Sequence, residues 1–259
     1  LRPGVSSQFV TSLLLAAPLM AGGVELELVG EVPSRPYLDL TEDALRAFGA
    51  EVDHDPDGRR WRVSPGGLHP ADIEVEGDWS AAAFFAAAVS VAGGKVAVAG
   101  LDRASRQGDR RLLEILAAAG VRWLWSEGEL HIEGPADTVL EADLRDTPDL
   151  FPALAVVAAC LGRGSRLSGL EHLRHKESHR LEAMTGILSA LGAGVASNGR
   201  SFTVHQPVDT CGGVRRVPAH SDHRVAMAMA VAALRAGPLE LDDGAVVDKS
   251  FPGFWTEWE

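Results

Sequence analysis

The sequence predicts an α/β protein made of repeated α/β units, because one order of elements recurs along the chain. Four segments each contain a polar or acidic start, an apolar helix, a break of small residues, a short strand and a second, amphipathic helix. They begin at Ser6, Asp78, Asp149 and Asp222, at intervals of 72, 71 and 73 residues. A unit of about 70 residues is too small to bury its apolar faces alone. The units must therefore pack together, with helices inside and sheets outside or the reverse.

The first unit opens on a stretch that has two interpretations. Residues 5–23, VSSQFVTSLLLAAPLMAGG, form a short apolar run behind Arg2, as a secretory signal peptide does. The same stretch starts the first of four similar units, which favours the first helix of a repeat. Behind its Gly-Gly turn, VELELVG alternates apolar and polar residues as a strand does. LTEDALRAFGAEV then has apolar residues at helical spacing, with Gly49 as a C-terminal stop.

A segment rich in proline, glycine and charge, DPDGRRWRVSPGGLHPADIEVEG, separates the first unit from the other three. We predict a domain boundary there, near residue 74. Residues 1–74 are then the last unit of a first, incomplete domain, and residues 75–259 are a second domain of three α/β units. If each domain has three units, the chain is truncated and lacks two units of its first domain.

Composition limits the class of protein and its partners. With 46% apolar and 23% charged residues, the chain has the composition of a globular protein, and no apolar run reaches the length of a membrane helix. The net charge of −12 argues against nucleic acid or an acidic membrane as a partner. Cys160 and Cys211 have neither metal-binding spacing nor a disulfide framework, so we expect a cytoplasmic protein.

Cations at several predicted helix starts are the strongest functional signal. Lys176 and Arg180 are four residues apart, which predicts one helical face, where like charges repel and oppose the helix dipole. His223 and Arg224 occupy another first turn, and Lys249 precedes a short helix. A solvated or carboxylate-paired surface explains any one of these starts. All three together favour a bound anion that offsets the electrostatic cost.

Other candidate residues carry an alternative structural explanation. Asp149 and Glu177 could orient a substrate hydroxyl or accept its proton, but they could equally be an N-cap and a favourable first-turn charge. Ser6, Ser7 and Gln8 could bind a phosphate at a helix start or cap that helix.

Histidines and arginines elsewhere are weaker candidates. His175 and His179 have metal-ligand spacing, but Lys176 and Arg180 interleave with them and would repel a metal cation, so no metal is expected. The arginines of LDRASRQGDRR favour a solvated, ion-paired face.

Seven stretches, in the same order as in that family, resemble the 5-enolpyruvylshikimate-3-phosphate synthases: SSQF, SRPYLDLT, EGDWSAAAFF, DTPDLFPALAV, HLRHKESHRLEAM, SDHRVAMAMAV and KSFPGF. The resemblance implies the inside-out α/β barrel of enolpyruvate transferases, with two domains of three units that close at a hinge. It implies that this chain is the C-terminal three-fifths of such an enzyme. It also implies small anionic substrates, no metal or organic cofactor, and a monomer or a chain dependent on the missing N-terminal portion.

The implied reaction transfers the enolpyruvyl group of phosphoenolpyruvate to the 5-hydroxyl of shikimate 3-phosphate and releases phosphate, in aromatic amino-acid biosynthesis. The catalytic residues would be Asp149 and Glu177. Shikimate 3-phosphate would contact Ser6, Ser7, Gln8, Ser34, Asp149, His172 and Lys176. Phosphoenolpyruvate would contact Gln8, Arg180, Arg224 and Lys249.

The chain departs from the family pattern at two positions. His172 stands where many members carry asparagine, and His179 replaces the aspartate of KE(S/T)DR. The early Lys-Ser…Arg stretch, a glycine-rich loop and a further arginine of the family have no counterpart here, so we predict that this polypeptide alone is inactive or nearly so. Three alternatives remain: a relative of the UDP-N-acetylglucosamine enolpyruvyl transferases, a non-catalytic remnant that binds a phosphorylated metabolite, and an unrelated α/β scaffold for protein partners.

Overall fold

The computed structural model describes residues 1, 6–162 and 164–259. These residues divide into two compact units, residues 1–76 with 104–108 and residues 77–103 with 109–259. The division after Glu76 lies near residue 74, where we predict the domain boundary. That this division is the boundary between two domains of the family fold remains a prediction. Among the described residues, no helix combines the length and the hydrophobicity needed to cross a bilayer.

The first compact unit packs two helices on a three-stranded sheet. Its helices are α1 (Gln8–Ala16) and α2 (Pro36–Ala47), and its strands are β1 (Val24–Glu27), β2 (Val52–His54) and β3 (Arg60–Val63). The strands are antiparallel in the order β1-β3-β2. The stretch with two interpretations thus forms α1, which buries Val10 and Leu14 in the core of this unit. Gly23 turns the chain into β1 with a φ of +66°, where a Cβ would collide with the carbonyl oxygen of Val63.

Three central helices form the core of the second compact unit. They are α3 (Trp79–Ala92), α5 (Phe151–Leu161) and α7 (His223–Ala236), and each packs against the other two. Nearly every residue of α5 is buried. The helix can be buried on all sides because its own side chains, mostly alanine, valine and leucine, are apolar all around it. The other helices are α4 (Leu112–Ala118), α6 (Arg180–Ala190) and α8 (Phe254–Trp258).

The sheets of this unit pack against the central helices and bury part of their residues in the same core, so its helices lie inside. Its strands are β4 (Gly94–Val98), β5 (Arg122–Ser126), β6 (Glu129–Gly134), β7 (Glu141–Asp143), β8 (Arg166–Ser168), β9 (Gly194–Ser197), β10 (Ser201–Gln206), β11 (Arg215–Val217) and β12 (Leu239–Leu241). One sheet has the order β4-β6-β5, a second has the order β7-β8-β10-β9, and β11 pairs with β12 in parallel.

Candidate active site

Three of the predicted cations meet at Asp149, in the 3₁₀ turn that leads into α5. Arg180 Nη1 lies 2.6 Å from Asp149 Oδ1, and Lys176 Nζ lies 3.4 Å from the same oxygen. Arg224 Nη2 lies 3.2 Å from Asp149 Oδ2. Because these cations come from separate segments and share one carboxylate, they form a single cluster rather than unrelated surface charges.

Glu177 adds the fourth cation to the cluster. Its Oε2 atom lies 2.8 Å from Arg180 Nη2, and its Oε1 atom lies 3.0 Å from Lys249 Nζ. Lys249 ends the 3₁₀ helix Ala245–Lys249, and its side chain is 57% exposed. It is therefore the cation of this cluster that is most accessible to a ligand.

Arg180 holds the cluster together from within the protein. Its side chain is 1% exposed and donates a third hydrogen bond, from Nε to Asp222 Oδ2 at 2.9 Å. Asp222 is itself fixed, because it caps α7 by accepting from the Arg224 backbone N–H and accepts a bond from Ser178 Oγ. A buried guanidinium bonded to three carboxylates has one geometry available to it, so the cluster is rigid at its centre.

The local structure corrects two details of the sequence analysis. Lys176 follows the 3₁₀ helix Glu171–His175 and precedes His179, the N-cap of α6, so the prediction that Lys176 and Arg180 share a helical face is wrong. Glu177 also precedes this cap and is therefore not a first-turn residue. The chain instead turns before α6, and that turn brings Lys176 to Asp149.

The N-cap explanation of Asp149 is also wrong. Thr147 holds the cap position of the 3₁₀ turn and Leu150 that of α5, so Asp149 lies between the two caps. Burial alone would raise the pKa of Asp149, but Arg224, Lys176 and Arg180 hold it well below its usual range. Asp149 is consequently ionised at neutral pH and can accept a hydrogen bond from a hydroxyl.

The cluster carries a local positive charge. Burial opposes ionisation of Glu177 and Asp222 as well, but Arg180 holds the pKa of both carboxyl groups below their usual values. Three carboxylates thus face four cations, which leaves one excess positive charge in a chain of net charge −12. An anion bound here would neutralise that charge.

His172 contributes a buried polar group beside the cluster. It lies on the 3₁₀ helix Glu171–His175, is 7% exposed, and its Nε2 atom has no hydrogen-bond partner among the described residues. Burial, assisted by the charge of Lys176, lowers the pKa of His172 to about 4. The ring is therefore neutral at pH 7.

The remaining predicted residues lie in the first compact unit. Ser7 is buried at the cap position of α1 without making a side-chain cap bond, while Ser6 Oγ accepts from the Gln8 backbone N–H at 3.2 Å. Ser34 is buried before α2 with a φ of +58°, a strained conformation that is often found at functional sites. These serines lie before the first helical residues of α1 and α2, and Thr11 and Thr41 link the two helices.

A family model described as EPSP synthase (3-phosphoshikimate 1-carboxyvinyltransferase) matches residues 1–258. The chain belongs to the EPSP synthase family. Its relatives include the 3-phosphoshikimate 1-carboxyvinyltransferases of Methanoculleus marisnigri, 41% identical over 253 residues, and of Methanospirillum hungatei, 36% identical over 259 residues. The alignments cover 97% and 98% of this chain but 59% and 60% of those proteins. The chain thus spans about three-fifths of the length of these relatives.

Solved structures of EPSP synthases and related enzymes have the same fold. An EPSP synthase from Acinetobacter baumannii aligns with a TM-score of 0.73 at 28% identity, over 98% of this chain and 59% of that one. The enolpyruvyl transferase NikO from Streptomyces tendae aligns with the same TM-score at 21% identity, over 99% and 59%, which shows likeness of fold alone. The predicted fold class, repeated α/β units of the enolpyruvate transferase type, is confirmed.

Two buried acids of this EPSP synthase-family chain escaped the sequence analysis as members of the site. Asp222 appeared there only as the start of the fourth repeat, although the same position also places it against Arg180. Asp109 lies in the arginine-rich stretch that we interpreted as a solvated face, yet it is almost fully buried. Nothing local distinguishes it, because its surroundings come from residues distant in the sequence.

Acid lability is the expected consequence of the buried His172. The pKa of His172 is lowered below its unfolded value, so its contribution to stability is complete above pH 6.5 and is lost as pH falls toward 4. Between pH 7 and pH 4.5, the free energy of unfolding of wild type should fall by roughly 2–3 kcal/mol more than that of His172→Asn, as measured by urea denaturation. The exposed His205 provides the control variant His205→Asn, which should lose as much as wild type. Equal losses in all three proteins would contradict a buried neutral ring.

Proposed function

We propose that a protein containing this chain transfers the enolpyruvyl group of phosphoenolpyruvate to the 5-hydroxyl of shikimate 3-phosphate and releases phosphate. The observation that carries the proposal is the cluster in which Lys176, Arg180 and Arg224 share Asp149. A reaction between two phosphorylated substrates needs fixed positive charge where phosphate leaves and a base where the hydroxyl reacts. This cluster has both within one network of direct contacts.

In the first step, the 5-hydroxyl oxygen bonds to C2 of phosphoenolpyruvate while C3 gains a proton. We assign Asp149, whose carboxylate is ionised at neutral pH, as the group that accepts the proton of the 5-hydroxyl. In the second step, the C2–O bond to phosphate breaks and C3 loses a proton, which restores the double bond. We assign proton exchange at C3 to Glu177, which takes up a proton from water before the first step, gives it to C3, and regains a proton from C3 in the second step. Its carboxyl group also contacts Lys249.

We assign the phosphate and carboxylate of phosphoenolpyruvate to Arg180, Arg224 and Lys249, together with Gln8. Arg180 is committed to three carboxylates, so Arg224 and Lys249 have more freedom to meet an incoming anion. We assign shikimate 3-phosphate to residues with hydroxyl, amide, imidazole, ammonium or carboxylate groups: Ser6, Ser7, Gln8, Ser34, Asp149, His172 and Lys176. The free thiols of Cys160 and Cys211 agree with a reducing, cytoplasmic setting for this reaction.

Calorimetry with the 259-residue chain tests the proposal. Shikimate 3-phosphate should bind alone, and its presence should tighten the binding of phosphoenolpyruvate. Phosphate release from the two substrates together is the readout of turnover. Binding of UDP-N-acetylglucosamine in place of shikimate 3-phosphate would overturn the proposed acceptor. Because we expect the 259-residue chain alone to have little or no turnover, tight binding without turnover would indicate a binding remnant only in a protein of the relatives' full length that contains this chain.

Lys249 offers a direct test of the phosphoenolpyruvate assignment. Lys249→Met should weaken phosphoenolpyruvate binding about tenfold, because it removes one charge-assisted hydrogen bond at a partly exposed position. Lys95→Met is a matched control, since Lys95 is exposed on β4 and pairs with Glu133 at 3.4 Å. The dissociation constant for the control should equal that of wild type. Equal affinities of both variants would remove Lys249 from the site.

A further inference from the structure

Asp109 is a buried acid that the proposed mechanism does not use. It lies on the 3₁₀ helix Gly108–Arg111 and is 2% exposed. Its Oδ2 atom accepts a hydrogen bond from Ser80 Oγ, while Oδ1 has no hydrogen-bond partner among the described residues. An ionised carboxylate in such a place is costly, because burial removes it from water and none of the described cations forms an ion pair with it.

Asp109 is hydrogen-bonded to Ser80 of α3. Helix α3 packs against both the 3₁₀ turn that holds Asp149 and α7, which holds Arg224. The charges that act on Asp109 most are those of Asp149 before α5, Arg224 in α7 and Asp78, the N-cap of α3. The two acids disfavour ionisation of Asp109, and Arg224 favours it. Burial first, and then the charge of Asp149, raise the pKa of Asp109 to about 7.

The protonation of Asp109 therefore decides the charge of the site. With a neutral Asp109, the four cations exceed the carboxylates of Asp149, Glu177 and Asp222 by one. With an ionised Asp109, the excess disappears and a second carboxylate acts on Arg224. An incoming anion meets an attractive site in the first state and a neutral one in the second.

We propose that Asp109 is a positioning residue of the anion site, which in its neutral form leaves Arg224 available to Asp149 and to the substrate anion. The inference rests on the proposed function, since it takes phosphoenolpyruvate as the anion. Binding of that anion favours the neutral form, so it is coupled to proton uptake by Asp109. This linkage gives the site an affinity that declines as pH rises through neutrality.

The test compares phosphoenolpyruvate affinity at pH 6 and pH 8 in wild type, Asp109→Asn and the control Asp137→Asn, which alters an exposed acid of the same compact unit. If only the neutral form binds, a pKa of about 7 leaves about a tenth of the protein competent at pH 8, so affinity falls up to about tenfold. Ionisation of the ligand's own phosphate affects all three proteins equally. The affinity of wild type and of Asp137→Asn should therefore fall between pH 6 and pH 8 by up to about tenfold more than the affinity of Asp109→Asn.

A second variant keeps the inference testable if Asp109→Asn does not fold. The hydrogen bond from Ser80 lowers the pKa of Asp109, so Ser80→Ala should move the midpoint of the affinity change to higher pH. Calorimetry at pH 7.5 in two buffers of different ionisation enthalpy should detect proton uptake by wild type that Asp109→Asn lacks.

The outcomes separate this inference from the function on which it rests. Absence of binding of both phosphoenolpyruvate and inorganic phosphate at either pH would overturn the proposed function and the inference with it. Binding with the same pH dependence in wild type and Asp109→Asn would overturn the inference alone. A purely structural role would lower the melting temperature of Asp109→Asn and leave the ratio of its affinities at the two pH values equal to that of wild type.

Discussion

Replacing Arg180 by methionine is expected to lower the free energy of unfolding by about 3–5 kcal/mol. The guanidinium is 1% exposed and bonds to three carboxylates, so its removal leaves Asp149, Asp222 and Glu177 with uncompensated negative charge in a largely buried place. Urea denaturation at pH 7 measures the change. Arg180→Lys should fall between wild type and methionine, because it keeps the charge and loses the fork of donors.

Arg200 provides the matched control for this experiment. Its side chain is 79% exposed and lies 3.8 Å from Glu171, so Arg200→Met should change stability by no more than about 0.5 kcal/mol. Equal effects of the two methionine variants would show that the three carboxylates do not depend on Arg180.

In a protein that contains this chain and has the proposed activity, replacing Asp149 by asparagine is expected to lower turnover by about 10²–10⁴-fold. Asparagine keeps the size of the side chain but cannot accept the proton of the 5-hydroxyl. The same change removes negative charge from between Lys176, Arg180 and Arg224, so phosphoenolpyruvate should bind at least as tightly as in wild type. The prediction is therefore a fall in kcat without a rise in KM for phosphoenolpyruvate, measured as phosphate release.

The control for Asp149 is Asp137→Asn, an identical chemical change at an exposed position after β6. It should leave both kcat and KM unchanged. A rise in KM for phosphoenolpyruvate with an unchanged kcat in Asp149→Asn would assign this carboxylate to binding and exclude it as the base.

The repeats could be predicted from the sequence because each one leaves a local signature. Asp78 and Asp222, both chosen as repeat starts, cap α3 and α7 by accepting from backbone N–H groups. Uniformly apolar runs identify α3 and α5, two of the three helices that lie at the centre of the second compact unit. The pattern left open whether helices or sheets lie inside, because that depends on packing between segments about 70 residues apart.

The site was predictable only in part. Cations in unfavourable positions indicated Arg180 and Arg224, which do lie in first helical turns. Helical periodicity misplaced Lys176, because the His179 side chain caps α6 and the preceding residues turn away from the helix axis. Asp109 gave no signal at all, since a single aspartate between glycine and arginine resembles any surface turn.

The uniformly apolar character of α3 and α5 has a consequence for how the chain acquires its structure. Neither helix has a polar side to turn toward water, so each stays soluble only while the other central helices cover it. The second compact unit must accordingly form and melt as one cooperative block. Cleavage of the chain between α3 and α7, by a protease or by division of its gene, would therefore give fragments with exposed apolar helices that aggregate, and not smaller folded units.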